Sequence, residues 1–248
     1  MNTPSHANRT YWDEDATRYH REHPAYLDGF YWCPEMLAEA DAHLLGDLAG
    51  KRVVEVGCGS APCSSWLIDE YPTATVTGFE ISAGMLAHAD PNTPLVQGDV
   101  LALPYRTAAF DVAFSAFGAL PFVRDAVAAL REIRRVLHDD GRFIFSVNHP
   151  MRWVFPDDPT SFTAEIPYFA REYEEYDEHG QLTYAEYHRT FGDWVRAIRT
   201  AGFELMDVIE PEWPDTLTEN WGQWSPERGR IFPGTAIFVT RCASYKDN

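Results

Sequence analysis

Three carboxylates, each close to an apolar run, are the residues best placed in this chain to hold a polar small molecule. Glu55 stands inside Val53-Val54-Glu55-Val56-Gly57-Cys58-Gly59-Ser60. Glu80 follows the β-branched run Thr75–Phe79, twenty-three residues after Gly57, and Asp99 follows Gly98, nineteen residues further on. A carboxylate at a strand end accepts charge-assisted hydrogen bonds from hydroxyl or amino groups. Glycines in the adjoining turn let a ligand meet bare backbone, because no Cβ intervenes. Each feature alone has a plainer reading: turn punctuation for the glycines, a solvated strand-end acid for Glu80, a turn or cap residue for Asp99. Their order and spacing together describe a cradle for a nucleotide-like cofactor.

The flanking residues narrow the choice. A dinucleotide fingerprint calls for a third glycine where a helix packs near a pyrophosphate. This chain has Ala61-Pro62 there, and the proline removes an N–H that would otherwise face phosphate. Glu80 would accept ribose hydroxyls and repel a 2′-phosphate, which argues against NADP. A cofactor without phosphates fits better.

The elements that must position these groups follow from periodicity. An aromatic segment with Tyr11, Trp12, Tyr19, Tyr26, Phe30, Tyr31 and Trp32 predicts a helix over 9–20 lying on the core. Pro34 is expected to start a second helix through Met36, Leu37, Ala40, Leu44, Leu45 and Leu48, ending near Gly50. Strands at 53–56, 75–79, 95–97, 110–115 and 142–147 alternate with helices at 63–71, after Ser82, and at 125–137, where the turn 138–141 follows. That rhythm predicts parallel βαβ units with right-handed crossovers. It breaks at Pro150. Residues 171–176 and 181–187 flank a turn and predict a hairpin insertion; Thr190 and Asp193 predict a capped helix ending at Gly202. Strands 203–209 and 235–240 close the chain, joined by the aromatic loop 210–234. The expectation is one α/β domain over 1–248: cap helices in 1–50, a cofactor-binding core in 51–149, an insertion or lid in 150–190, and a last helix with closing strands in 191–248.

Glu55-Val56-Gly57-Cys58-Gly59, Gly78-Phe79-Glu80-Ile81-Ser82-Ala83-Gly84-Met85-Leu86, Gly98-Asp99-Val100-Leu101-Ala102-Leu103-Pro104 and Phe110-Asp111-Val112 resemble the class I S-adenosylmethionine-dependent methyltransferases. The branch they are similar to methylates small molecules and quinone precursors. The resemblance implies a Rossmann-like, seven-stranded, mostly parallel sheet with an antiparallel last strand and helices on both faces. It implies that Glu55 and the backbone of Gly57, Cys58 and Gly59 surround the methionine end of S-adenosylmethionine. Glu80 would hold the ribose, Ile81 and Met85 the adenine face, and Asp99 with Val100 the adenine edge. Ser115, Ala116 and Phe117 would pass beneath the sulfonium, and Tyr11, Trp12 and Tyr19 would belong to a cap helix. An aromatic stripe packing on the core is the other reading of those three. The family often has Asp in place of Glu80 and Gly in place of Ala61.

Methyl transfer from a sulfonium is an in-line displacement of an activated donor, so alignment and exclusion of water can supply much of the rate. A base is needed only where the acceptor must lose a proton. His149, at the carboxyl end of the fifth strand, is the first candidate base, with a positioning role as the alternative; His188 is the second. The aromatics of 150–190 and 210–234 predict a lid and an acceptor pocket involving Arg152, Trp153, Tyr187, His188 and Trp221. The same residues would also suit a homodimer interface. Arg152 or Arg189 could bind an acceptor carboxylate.

Two rivals remain open: an NAD-linked oxidoreductase on a similar sheet, and a non-catalytic cofactor-binding regulator. His149, His179 and His188 match no metal-ligand spacing, so no metal is expected. The 248 residues carry a formal net charge of -18, which disfavours nucleic acid and anionic membrane surfaces as partners. Four cysteines without a CxxC pair, and no apolar run of transmembrane length, point to a reduced cytoplasmic protein.

Overall fold

The computed structural model describes residues 3–244. Among them, nine strands and seven α-helices follow one another from α1 (Pro4–Glu22) to β9 (Thr235–Cys242). The central sheet has seven strands in the order β3-β2-β1-β4-β5-β9-β8. These are β1 (Arg52–Val56), β2 (Thr75–Glu80), β3 (Leu95–Gln97), β4 (Phe110–Ser115), β5 (Leu137–Asn148), β8 (Phe203–Ile209) and β9. The first five run parallel, and β9 pairs antiparallel with both β5 and β8. The chain reverses its spatial order beside β1, so the carboxyl ends of β1 and β4 face a crevice at a topological switch point.

Both faces of the sheet are covered, which is why its strands read as nearly continuous apolar runs. On one face Phe143, Phe145 and Phe238 meet Leu130 and Ile133 of α5 (Ala126–Val136) and Trp194 and Ile198 of α6 (Phe191–Thr200). On the other, Phe114, Ile144 and Ile237 meet Phe30, Trp32, Leu45, Leu48 and Leu67. Residues 143, 144 and 145 thus alternate between layers, as the strand period of two requires. Thr190 caps α6 in a reciprocal box with Asp193. The hairpin of β6 (Glu172–Tyr176) and β7 (Leu182–Tyr187) forms a separate two-stranded sheet against α1.

Two expectations need correction. The helix expected from Pro34 shrinks to α2 (Glu39–Ala42), because Met36, His43 and Gly46 all take left-handed backbone angles. Residues 31–38 form a tight reversal, Trp32 N donating to Leu37 O and Glu39 N to Phe30 O. The buried Glu39 carboxylate then organises the segment, accepting from Trp32 Nε1 and from the backbone N–H groups of Leu44 and Leu45. The leucines reach the second core from irregular backbone; their spacing mimics a helical face. The expected turn at 138–141 is instead part of β5, where the register slips between Phe110 and Val112.

Candidate functional site

The glycine turn after β1 is forced by backbone packing. Gly57 and Gly59 are left-handed, with φ of 75° and 56°. A Cβ on Gly57 would stand 2.4 Å from Ala119 N, and one on Gly118 would stand 2.4 Å from Gly57 O. The turns after β1 and β4 therefore touch backbone to backbone, which only glycine permits. Ala61, also left-handed at φ 59°, precedes α3 (Pro62–Glu70). Cys58 turns its thiol toward Gly78 of β2 as a small filler.

Above this floor lies a cleft of ≈ 1030 Å³ of empty space, open mouth included. Glu55, Gly57, Cys58 and Gly59 line one end, Glu80, Ile81 and Met85 the middle, Asp99 and Val100 the other end, and Ala116 and Phe117 the floor. Those positions come from four strand ends that the sequence separates by more than sixty residues (Glu55 to Phe117). Ser115 is buried beneath them, its Oγ without a partner.

The carboxylates are held before any ligand arrives. Glu80 Oε2 accepts from Gly59 N at 3.0 Å, and Oε1 accepts from Ile81 N at 2.8 Å and Ser82 N at 2.9 Å. Burial still raises its pKa, against those three donors. Glu55 Oε2 accepts from Ser64 N and Oγ; burial with no cationic partner pushes its pKa up to about 8. Asp99 Oδ1 caps the 3-10 turn 100–102 through Leu101 N.

The roof is α1. Ser5, Asn8, Trp12 and Tyr19 line the cleft, joined by Tyr26 and Leu27. Asp13 fastens this helix to α4 (Ala83–Leu86), its Oδ1 accepting from Ser82 Oγ at 2.7 Å and Gly84 N at 2.8 Å. A Cβ on Gly84 would fall 2.5 Å from Asp13 O, so the two helices meet at glycine. Sequence reasoning missed Asn8, Tyr26, Leu27 and Phe122 as lining residues. Only the aromatic density of residues 8–32 signalled that segment.

Several expected site residues sit elsewhere. Tyr11 lies outside the cleft lining and packs on Tyr184, rings 4.8 Å apart. His149 is likewise outside the lining, and both of its nitrogens are engaged. Nδ1 accepts from Met151 N at 3.0 Å, which leaves the proton on Nε2 to be donated to Glu210 at 2.8 Å. It therefore has no free lone pair to act as a base. His188 donates to Tyr168 O and stacks on Trp153 at 4.9 Å; burial lowers its pKa to about 4. Tyr187 packs with Ala7, Leu182 and Ala185. Arg189 is spent on the carbonyls of Leu120, Val123, Arg124 and Tyr187. Arg152 is buried beside Asp157, its guanidinium 5.2 Å from the Trp224 ring centroid. Trp221 donates to His23 Nε2 and packs on Tyr26, behind the cleft wall. The aromatic insertion buttresses the site from outside and the N-terminal helix supplies the roof.

Residues 54–145 match the family model described as a methyltransferase domain. The matched stretch runs from β1 to β5 and carries Glu55, Glu80 and Asp99. A malonyl-[acyl-carrier protein] O-methyltransferase of Geobacter sulfurreducens is 27% identical over 79% of this chain and 76% of its own length. A demethylmenaquinone methyltransferase of Corynebacterium kroppenstedtii is 40% identical over 38% of this chain and 40% of its own. Against several such curated relatives the match spans only about two-fifths of their length. The fold agrees with solved structures. An S-adenosylmethionine-dependent methyltransferase from Mesorhizobium loti has a TM-score of 0.58 at 24% identity, covering 82% of this chain and 95% of that one. A methyltransferase from Streptomyces caelestis has 0.62 at 22%, covering 95% and 98%. Among the described residues no helix is long and apolar enough to cross a membrane, and no group of three or more His, Cys, Asp or Glu could hold a metal ion.

Proposed function

We propose that the whole chain transfers the methyl group of S-adenosylmethionine to a small-molecule acceptor. The observation that supports this most is the order of groups along one cleft. Glu55 and the glycine turn would take the methionine end, Ala116 and Phe117 the sulfonium, Glu80 the ribose diol, and Asp99, Ile81, Met85 and Val100 the adenine. Glu80 suits the ribose because backbone donors fix both oxygens and Oε2, with Gly59 N as its one donor, keeps acceptor capacity for a hydroxyl. Tyr19 and Tyr26 extend the methionine end from the roof. The chain then acts as one domain in the cytoplasm, with the insertion 150–190 bracing the acceptor side. A homodimer across its exposed aromatics Phe169, Tyr173 and Tyr176 would leave the cleft open.

Calorimetric titration with S-adenosylmethionine, S-adenosylhomocysteine and NAD tests the reading. Micromolar binding of the first two, with NAD weaker by a hundredfold, is expected; binding of NAD alone would refute it. Mass spectrometry of a cell extract incubated with labelled cofactor should then show a labelled small product. Cofactor binding without any such product would favour a regulator.

A further inference from the structure

The cofactor cleft gives roles to Glu55, Glu80 and Asp99 but none to a fourth deep carboxylate. Glu186, on β7, lies deep in the fold yet keeps part of its surface open. Asn148 Nδ2, at the last residue of β5, donates to Glu186 Oε1 at 2.6 Å, and the Tyr184 hydroxyl stands 3.4 Å from Oε2. Among the described residues no Lys, Arg or His nitrogen comes within 4.0 Å of it. Arg152, the cation with most influence on it, is turned to Asp157 and the Trp224 ring. Buried polar atoms on its neighbours lack partners: Asn148 Oδ1, Arg152 Nε and, against Arg152, Trp224 Nε1.

These neighbours of Glu186 reach the lining of the cofactor cleft on two sides. Tyr184 meets Phe122, which lines the cleft, at 6.0 Å, and Asn8, also in the lining, bonds to Ala185 N and O. On the other side Phe117 N donates to Ser146 Oγ, two residues before Asn148, and Trp224 stands edge-on to Phe117 at 5.4 Å. Phe117 forms the floor beneath the expected sulfonium, so Trp224 and the end of β5 link the surroundings of Glu186 to that floor. Glu186 and Asp157 outnumber Arg152, in a chain of net charge -18. A carboxylate acceptor would be driven against Glu186, whereas an N–H or O–H would donate to it.

We propose that Glu186 is the proton acceptor of an acceptor recess, and that the nucleophile methylated here is an amine or a hydroxyl rather than a carboxylate. This rests on the methyltransferase reading above. The N–H or O–H proton passes to a Glu186 oxygen as the heteroatom's lone pair forms a bond to the methyl carbon. The S–C bond breaks, its electron pair stays on sulfur as a neutral thioether, and Glu186 returns the proton to solvent. Burial, which raises the Glu186 pKa, makes it a better base than an exposed carboxylate.

Binding of benzylamine, benzyl alcohol and benzoate is measured on wild-type protein and on Glu186→Gln, with and without S-adenosylhomocysteine. Glutamine keeps the shape and can still accept from Asn148, and the melting temperature checks that the variant is folded. Benzylamine or benzyl alcohol should bind at least about tenfold tighter than benzoate, and the preference should vanish in the variant while S-adenosylhomocysteine affinity stays within about twofold. A labelled-cofactor screen over matched amines, alcohols and carboxylic acids should give alkali-stable products, with kcat about a hundredfold lower in E186Q. Preference for benzoate, an alkali-labile methyl ester as product, or a variant kcat within about threefold of wild type overturns the proposal. Failure of S-adenosylhomocysteine to bind refutes the methyltransferase reading instead, and the cofactor-free arm still decides on Glu186.

Discussion

Replacing Glu55 by Gln should flatten the pH dependence of stability between about pH 5 and 8. Glu55 is buried near the end of β1 with Ser64 and Cys63 as partners and no cation, and burial lifts its pKa from 4.5 to about 8. In that window the folded protein keeps a proton that the unfolded chain has released. Stability is therefore full below the unfolded value and is lost as pH rises through the folded one. A rise of about 3.5 units at about 1.4 kcal/mol each sets an upper bound on the order of 5 kcal/mol for this one group. Glu35, Glu39, Glu80 and Glu186 are shifted the same way, so the wild-type slope is shared. The difference between wild type and Glu55→Gln isolates Glu55. Urea unfolding at four pH values gives it directly; parallel wild-type and variant curves would refute a buried, neutral Glu55. An ammonium group bound beside Glu55 would favour its ionised form, so S-adenosylmethionine binding near pH 7 should release a proton. Calorimetry in two buffers of different ionisation enthalpy should detect it, and Glu55→Gln should abolish it.

Gly57→Ala combines a left-handed φ with a 2.4 Å clash against Ala119 N, so a loss of about 2–4 kcal/mol is expected in chemical denaturation. Glu80→Ala removes the proposed ribose acceptor and should weaken S-adenosylmethionine about a hundredfold by calorimetry, a figure that a charge-assisted pair of hydrogen bonds supports. Asp13→Ala releases Ser82 Oγ and Gly84 N; limited proteolysis should then cut within α1, and cofactor affinity should fall about tenfold. Thr190→Ala breaks the capping box of α6 and should cost about 1 kcal/mol in urea unfolding.

The sheet was legible because its signals are local. Val53 to Val56, Thr75 to Phe79 and Phe110 to Ser115 carry β-branched, apolar runs whose ends are marked by glycine or a capping residue, and the strands formed there with nearly those bounds. The hairpin 172–187 and the Thr190–Asp193 cap were legible for the same reason: each is stated within about ten residues. The segment from Pro34 to Gly50 was not. Its leucines satisfy a helical period, yet what decides the backbone there is the Glu39 carboxylate gathering three donors. A buried acid organising a loop leaves no periodic trace.

The site divides along the same line. Its cofactor side comes from strand ends, so Glu55, Glu80, Asp99 and Phe117 could be placed by counting along the chain. Its roof depends on which part of the polypeptide folds back over the sheet, and that is settled by long-range pairs such as Asp13 with Gly84 and Asn8 with Ala185. Tryptophans in 150–234 were an attractive guess for a lid, being large and numerous. They are occupied instead with one another and with the back of the wall: Trp153 on His188, Trp221 on His23, Trp224 on Phe117. Residues chosen by type alone mark where surface must be buried, and the partner that buries it decides whether they touch a ligand. Glu186 is the converse case. In sequence it is one acid among many in an acidic hairpin, and only the fold sets it apart, by placing it beside Asn148 at the carboxyl end of β5 with no ion-pair partner within 4.0 Å among the described residues.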